Sequence, residues 1–177
     1  MPPLDEYVVL VDDGGRPIGE ALKADVHTAS TPLHLAFSCH VEDELGNLLV
    51  TRRALGKRTW PGVWTNSFCG HPAPGEDLRD AVIRRARHEL GLELADLELA
   101  LPDFRYRAVD AAGIVEHELC PVFTATARGP VEPDPAEVMD WAWYDRKRLT
   151  EAVRLAPFAF SPWLALQLPA LADPVRR

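Results

Sequence analysis

The feature that most restricts this chain is a central amphipathic helix with a marked stop. From Asp77 to Leu90 the apolar residues Leu78, Ala81, Val82, Ala86 and Leu90 follow helical spacing, and Gly91 stands where a helix stop is expected. A helix with one apolar face must bury it against another element, and the flanking segments read as strands. His34 to Val41 alternates, with Leu35, Phe37, Cys39 and Val41 on one side and His34, Ala36, Ser38 and His40 on the other, which predicts a strand with one core face. Tyr7 to Val11 reads as a strand closed by the turn Asp12-Asp13-Gly14-Gly15, and Gly46-Asn47 turns into a partner strand at Leu48-Leu49-Val50. An irregular, aromatic-rich segment runs from Trp60 to Gly75. Leu92 to Tyr106 and Val115 to Ala127 are strand-rich around the turn Asp110 to Gly113. Pro130 to Pro135 is a loop, Val138 to Tyr144 a strand, and about the last thirty residues are helical. The expectation is an α/β chain of the α+β kind, with a central helix that follows a special loop.

At 177 residues the chain has the length of one domain, read as 1–177 with loose tails at 1–5 and 173–177. Twenty-seven acidic against 19 basic residues give a net charge of −8, which argues against general nucleic-acid binding. An anionic ligand would then need a local cationic cluster or a metal to hold it. Cys39, Cys69 and Cys120 form no CxxC pair, so a disulfide framework or a thiolate zinc finger is unattractive and a reducing cytoplasm is the simpler inference. The N-terminus lacks a basic region followed by an apolar run, so it does not read as a signal peptide. Ala152 to Ala172 is apolar, but Arg154, Gln167 and three prolines interrupt it. It reads as a buried C-terminal helix that starts at Ser161-Pro162, and no membrane association is expected.

Chemistry-bearing residues are few. Glu116 and Glu118 lie two apart in a predicted strand, so both carboxylates point to one face. With His27, His34 and His71 they make five nitrogen and oxygen donors, more than tetrahedral zinc uses. This set suits a higher-coordinate ion such as Mn²⁺, with Zn²⁺ also possible. The plainer alternative is scattered surface histidines beside a solvated Glu-His-Glu stretch. Cys69, two residues from His71 in a loop, is either a reactive thiol or a small buried hydrophobe. Arg52, Arg53, Lys57 and Arg58, with Lys23 upstream, form a basic group that reads either as phosphate capture or as a solvated hairpin end.

Gly70-x5-Glu76-x7-Arg84-Arg85-Ala86-Arg87-His88-Glu89-Leu90-Gly91-Leu92 resembles the Nudix box, Gly-x5-Glu-x7-Arg-Glu-U-x-Glu-Glu-x-Gly-U, where U is a bulky aliphatic residue. Gly70, Glu76, Arg84, Glu89, Gly91 and Leu92 match. Arg85 and His88 replace two glutamates, and Ala86 is smaller than the box prefers. Losing two carboxylates removes acceptor charge that several Mg²⁺ ions need, so the scaffold is kept and the hydrolytic machinery depleted. Arg85 and Glu89, at i and i+4, share a helix face and can hold one Mg²⁺ and a diphosphate oxygen, or else form an ordinary ion pair.

The resemblance then narrows. His27-Thr28-Ala29, Leu33 to Phe37, Thr51-Arg52-Arg53-Ala54, Trp60 to Ser67, Cys69-Gly70-His71-Pro72, Asp103 to Arg107, Glu116 to Phe123 and Phe160-Ser161-Pro162-Trp163 are similar, in the same order, to the type I isopentenyl-diphosphate isomerase family. The resemblance implies a Nudix-like mixed β-sheet packed between helices and interconversion of isopentenyl and dimethylallyl diphosphate in isoprenoid biosynthesis. It implies His27, His34, His71, Glu116 and Glu118 as ligands of Mn²⁺ or Mg²⁺ (or Zn²⁺), and Glu89 as holding a second ion, Mg²⁺, that bridges to the diphosphate. Lys23, Arg53, Lys57 and Arg85 would contact the diphosphate. Cys69 and Glu118 would be the acid/base pair assisted by Tyr106, with Trp163 facing the isoprenoid carbons. Either Tyr106 relays a proton to Glu118 or the thiol is the acid; the sequence leaves both open. A monomer or weak homodimer is expected. The rival readings are a nucleoside-diphosphate hydrolase, which gives Cys69 no role, and a non-catalytic domain that binds a phosphorylated ligand.

Overall fold

A computed structural model of the protein describes residues 6–172; the expected tails at 1–5 and 173–177 lie outside the described residues. In chain order come β1 (Tyr7–Val11), β2 (Pro17–Leu22), α1 (Lys23–Val26), β3 (His34–Leu35), β4 (Phe37–Glu42), β5 (Leu48–Arg53), β6 (Trp64–Thr65) and β7 (Phe68–Gly70). There follow α2 (Leu78–Leu90), β8 (Glu93–Leu101), β9 (Arg105–Val109), β10 (Val115–Leu119), β11 (Val122–Arg128), β12 (Val138–Tyr144), α3 (Arg146–Leu155) and α4 (Pro162–Ala172). The α+β class holds. The strands form two mixed sheets: β2-β1-β3-β10-β9, and β12-β5-β4-β11-β8 with β6 on β5 and β7 on β4.

The continuous strand expected over His34–Val41 divides at Ala36. Its first part pairs in parallel with β10 in the smaller sheet, and its second part pairs in parallel with β11 in the larger one. Two backbone bonds carry the chains across the change, Ala36 N–H to Leu119 O (2.9 Å) and Ser38 N–H to Pro121 O (3.1 Å). Pro121 has no N–H to continue a ladder, so the break there follows from residue chemistry.

The expectation of one core face on this strand is also revised, because Phe37, Ser38, Cys39, His40 and Val41 are all buried. Phe37, Cys39 and Val41 pack against Ala81, Val82, Ala86 and Leu90 of α2. On the other face, His40 reaches Gln167 of α4 at 2.9 Å, and Leu48 and Val50 pack on Leu149, Val153, Leu164 and Leu168 of α3 and α4. Helices on both faces bury a strand completely, whatever its alternation. The C-terminal helical stretch is two α-helices with a 3-10 turn, Pro157–Ala159, between them: α3 stops before Pro157 and α4 starts on Pro162, while Pro169 is accommodated inside α4. The Ser161 hydroxyl accepts from Leu164 N–H at 3.3 Å, as the Ser161-Pro162 start predicts. Among the described residues, no helix is long and apolar enough to cross a membrane.

Helix α2 is capped as its sequence requires. The Asp77 carboxylate accepts from Arg79 N–H at 2.9 Å, and Gly91 adopts φ 63° while its N–H reaches Arg87 O at 3.1 Å. A Cβ at Gly91 would lie 3.0 Å from Glu132 Cβ as well as in the left-handed region. Gly91→Ala should therefore cost about 1–2 kcal/mol and lower Tm by roughly 2–8 °C in thermal denaturation. An unchanged Tm would show that the cap is not strained by a side chain.

Candidate active site

Strand pairing assembles the site from residues far apart in sequence. In the smaller sheet Glu118 of β10 lies opposite His34 of β3 and Tyr106 of β9. In the larger sheet Cys69 of β7 lies opposite Ser38 of β4. His27 follows α1, and His71 follows β7 on a loop held by a clamp. Arg84 donates to both oxygens of Glu76 (2.7 and 2.8 Å) and to His71 O (3.2 Å). Two matched residues of the box, Glu76 and Arg84, thus hold a loop and do not line the cavity.

The three imidazoles converge, with ring centroids 5.2, 5.2 and 5.9 Å apart. One donor atom from each of His27, His34, His71 and Glu118 lies within 4.8 Å of the others. Glu116 stands at the edge of this group, its Oε2 3.1 Å from His27 Nε2. The plainer reading, scattered surface histidines, fails: all three histidines are at most partly exposed, and both glutamates are buried.

Whether a cation fits can be judged from unmet hydrogen bonding. His27 Nε2, His34 Nε2, His71 Nδ1 and Glu116 Oε2 are buried without a hydrogen-bond partner. Leaving such atoms unpaired is costly, and a cation would use lone pairs on them. The surrounding contacts prepare the donors. His34 Nδ1 reaches Pro32 O at 3.0 Å, which leaves Nε2 as the free lone pair; Thr59 Oγ1 donates to Glu116 Oε1 at 2.7 Å. Burial lowers the His71 pKa to about 4 despite the neighbouring Glu118, so the ring is neutral, as a ligand must be. Burial works to raise the Glu118 pKa, but His34 and His71 outweigh it and hold the carboxyl well below its usual range. The residues fit a divalent cation.

A cavity of about 440 Å³ opens beside this cluster, and its walls include Cys69, Tyr106, Glu118 and Trp163. Tyr106 O–H donates to Glu118 Oε2 at 2.9 Å. Burial, with the Glu118 charge adding to it, pushes the Cys69 pKa up to about 12, so the group is a thiol and not the thiolate of a typical reactive cysteine. Its sulfur lies 3.3 Å from Ser38 Oγ and donates to Asn66 Oδ1 at 3.3 Å. Asn66 Oδ1 also accepts from Trp163 Nε1–H at 2.9 Å, so one oxygen ties thiol and indole together. Trp60 meets the Trp163 ring edge-on at 5.4 Å, and the Arg53 guanidinium lies 5.3 Å from its centroid.

Lys23, Arg53, Lys57, Arg58, Arg85 and Glu89 line the same cavity. Arg52 alternates to the other side of β5, where its Nε donates to Gly62 O, and His88 is exposed on α2 with its Nε2 3.9 Å from Glu137 Oε1. Arg85, which replaces a box glutamate, is instead buried and paired with Glu89. Sequence reasoning missed Thr59, Ser38, Asn66 and Glu137: their contacts with Glu116, Cys69, Trp163 and Lys57 span 57, 31, 97 and 80 residues, and the short-range contact of Asn66 with Cys69 lies in an irregular segment with no periodicity to show it.

The NUDIX domain model matches residues 32–164. A protein of Clavibacter michiganensis subsp. michiganensis named isopentenyl-diphosphate Delta-isomerase is 66% identical over 97% of this chain and 88% of its own length. Proteins of the same name from Paenarthrobacter aurescens (59%; 95% of this chain, 91% of that one) and Mycolicibacterium vanbaalenii (58%; 97% and 95%) are also similar. The chain belongs to the isopentenyl-diphosphate Delta-isomerase family, within the NUDIX group. Solved structures agree on the fold. A Deinococcus radiodurans protein aligns with TM-score 0.74 at 19% identity over 95% of this chain and all of that one, and a Methanosarcina mazei MutT protein with TM-score 0.61 at 17% over 80% and 94%.

The orphaned donor atoms place a demand on the buried cluster that a divalent cation would meet. Protein stripped with chelator should gain stability when Mn²⁺, Mg²⁺ or Zn²⁺ is restored, by about 2.7 kcal/mol at a hundredfold excess over Kd. His71→Ala should remove most of that gain. A Tm that ignores all three ions would refute a metal at this cluster.

Proposed function

We propose that this protein interconverts isopentenyl and dimethylallyl diphosphate by adding a proton to one carbon and removing one from another. The observation that carries the proposal is a cavity that places a thiol, a tyrosine-bridged carboxylate and an indole beside a set of cations. His27, His34, His71, Glu116 and Glu118 would hold Mn²⁺ or Mg²⁺ (or Zn²⁺), and Glu89 a Mg²⁺ beside the diphosphate. When bound, such ions supply positive charge that fixes the buried carboxylates and neutralises diphosphate oxygens.

An unactivated alkene offers a proton little, so the donor and the acceptor must both be placed before reaction. Cys69 and Glu118 are the two stations. Cys69 holds a proton on its sulfur, and Tyr106 O–H, aimed at Glu118 Oε2, provides for proton exchange at the carboxylate. Between the two transfers lies a tertiary carbocation, which water would trap. The indole of Trp163, held edge-on by Trp60 and at its N–H by Asn66, supplies a fixed π-face for that charge. Lys23, Arg53, Lys57 and Arg85 grip the diphosphate, which stays intact. Arg85 and His88 stand where box glutamates would gather several hydrolytic ions, which supports gripping over cleavage. The three free cysteines suit a reducing cytoplasm, and a monomer or weak homodimer remains the reading of its assembly.

Incubation with isopentenyl diphosphate and divalent metal in D₂O should yield dimethylallyl diphosphate carrying deuterium, without phosphate release. Cys69→Ala should lower kcat by about 10²–10⁴-fold. Recovery of unlabelled substrate from metal-loaded protein would overturn the reading.

The grip has its own pH signature. Burial lowers the Lys57 pKa to about 8, with Glu89 opposing the shift and the Arg53, Arg85 and Lys23 charges adding to it. Lys57 is charged below that pH and neutral above it, so kcat/KM should fall as pH rises through this region. Lys57→Arg keeps its charge and should move the alkaline limb upward; a limb that does not move would assign it to another group.

A further inference from the structure

Glu137 precedes β12 and takes no part in the site as the sequence describes it. Its backbone is pinned on both sides, with Ala54 N–H donating to its carbonyl at 3.0 Å and its own N–H donating to Asp134 O at 3.0 Å. Its carboxylate pairs with the Lys57 ammonium and, at 3.3 Å, accepts from Arg85 Nη2, which also pairs with Glu89; the exposed His88 ring lies farther off, its Nε2 3.9 Å from Glu137 Oε1. Glu137 does not line the main cavity. It faces a separate chamber of about 30 Å³, whose walls include Arg53, Lys57, Cys69 and Glu89, and these four also face the main cavity. Lys57 therefore stands between the cavity and Glu137, with the carboxylate behind it.

That placement has a physical consequence. Lys57 and Arg85 are like charges in a largely dry wall, and without a counter-charge each would turn toward solvent or away from the other. An anion behind them neutralises the pair without occupying the space a ligand needs. A flexible lysine so held loses its rotamer freedom during folding and not during binding.

We propose that Glu137 is a positioning residue for diphosphate recognition: it holds Lys57 and Arg85 from behind so that both present their N–H groups to the cavity. This rests on the diphosphate reading above and extends it to a residue outside the cavity. Because the carboxylate stands behind the cations, it neither touches the ligand nor serves as a ligand of the Mg²⁺ assigned to Glu89.

The test compares unaltered protein, Glu137→Gln and Glu137→Asp, all metal-loaded and checked for equal Tm, by calorimetric binding of inorganic pyrophosphate and by isomerase kinetics. Glu137→Gln should weaken pyrophosphate binding and raise KM by about tenfold, with kcat within about threefold, since the proton-transfer groups are untouched. Glu137→Asp keeps the charge and should recover most of the affinity. Unchanged or tighter binding in Glu137→Gln would overturn the proposal, marking Glu137 as a bystander or a competitor for the cations. So would a loss cured by excess Mg²⁺, which would make Glu137 a metal ligand. If the unaltered protein binds pyrophosphate but turns over no substrate, the reaction assigned above fails while the pyrophosphate comparison still decides the role of Glu137.

Discussion

The parallel pairing of β3 with β10, continued one step later as β4 with β11, is the constraint on which the site depends. Two strands that ran straight would put Glu118 and Cys69 within one sheet. Because both chains change sheet together at Ala36 and at Cys120-Pro121, the carboxylate belongs to one sheet and the thiol, through β7 on β4, to the other. The cavity is the angle between them. A one-residue slip of β10 against β3 would turn Glu116 and Glu118 outward and bring His117 in. The register therefore carries the chemistry, and the burial of both faces of β4 holds it in place.

Charge is the second organising quantity. An acidic protein reading an anion needs local cations, and buried cations need partners. Each cation assigned to the diphosphate has one: Lys23 has Glu6 at 2.5 Å, Lys57 has Glu137, Arg85 has Glu89 and Glu137, and Arg53 has the carbonyls of Thr59 and Trp60. On the opposite side the three imidazoles and the Glu116 carboxylate leave buried polar atoms unmet, the reverse imbalance. One wall offers protons and the other offers electron pairs, and a ligand with a charged tail and a short apolar body fits the space between them.

Much of this was legible from sequence because it depends on local rules. The stop of α2 follows from Gly91, and the shared face of Glu116 and Glu118 from the two-residue period of a strand. The grouping of His27, His34 and His71 was suggested by residue type but could not be derived, since it needs α1, β3 and the loop after β7 to meet. The sheet change at Ala36 was hidden because Leu35 to Val41 alternates without a break. Only Pro121, between β10 and β11, marks it. The thiol state of Cys69 was hidden as well: a loop position beside histidine suggests activation, whereas the nearby Glu118 charge and burial oppose ionisation.

What remains is why the site rests on polar contacts when apolar packing would be simpler. Asn66 shows the reason. Its amide nitrogen donates to Cys39 O and Phe68 O at 3.0 and 2.8 Å, which fixes the side chain and leaves its oxygen no choice of direction. That oxygen accepts from Thr65, Cys69 and Trp163. Thr65 Oγ1 is in turn 2.7 Å from Ser161 Oγ, the cap of α4, so the helix that bears the indole and the loop that bears the thiol share one anchor. Dispersion contacts would hold both groups nearby but would tolerate shifts of a few tenths of an ångström. Directional bonds in a dry interior penalise such shifts heavily. The proton transfers proposed at Cys69 and Glu118 would tolerate little misplacement, and a buried, fully satisfied amide is a means of enforcing that geometry.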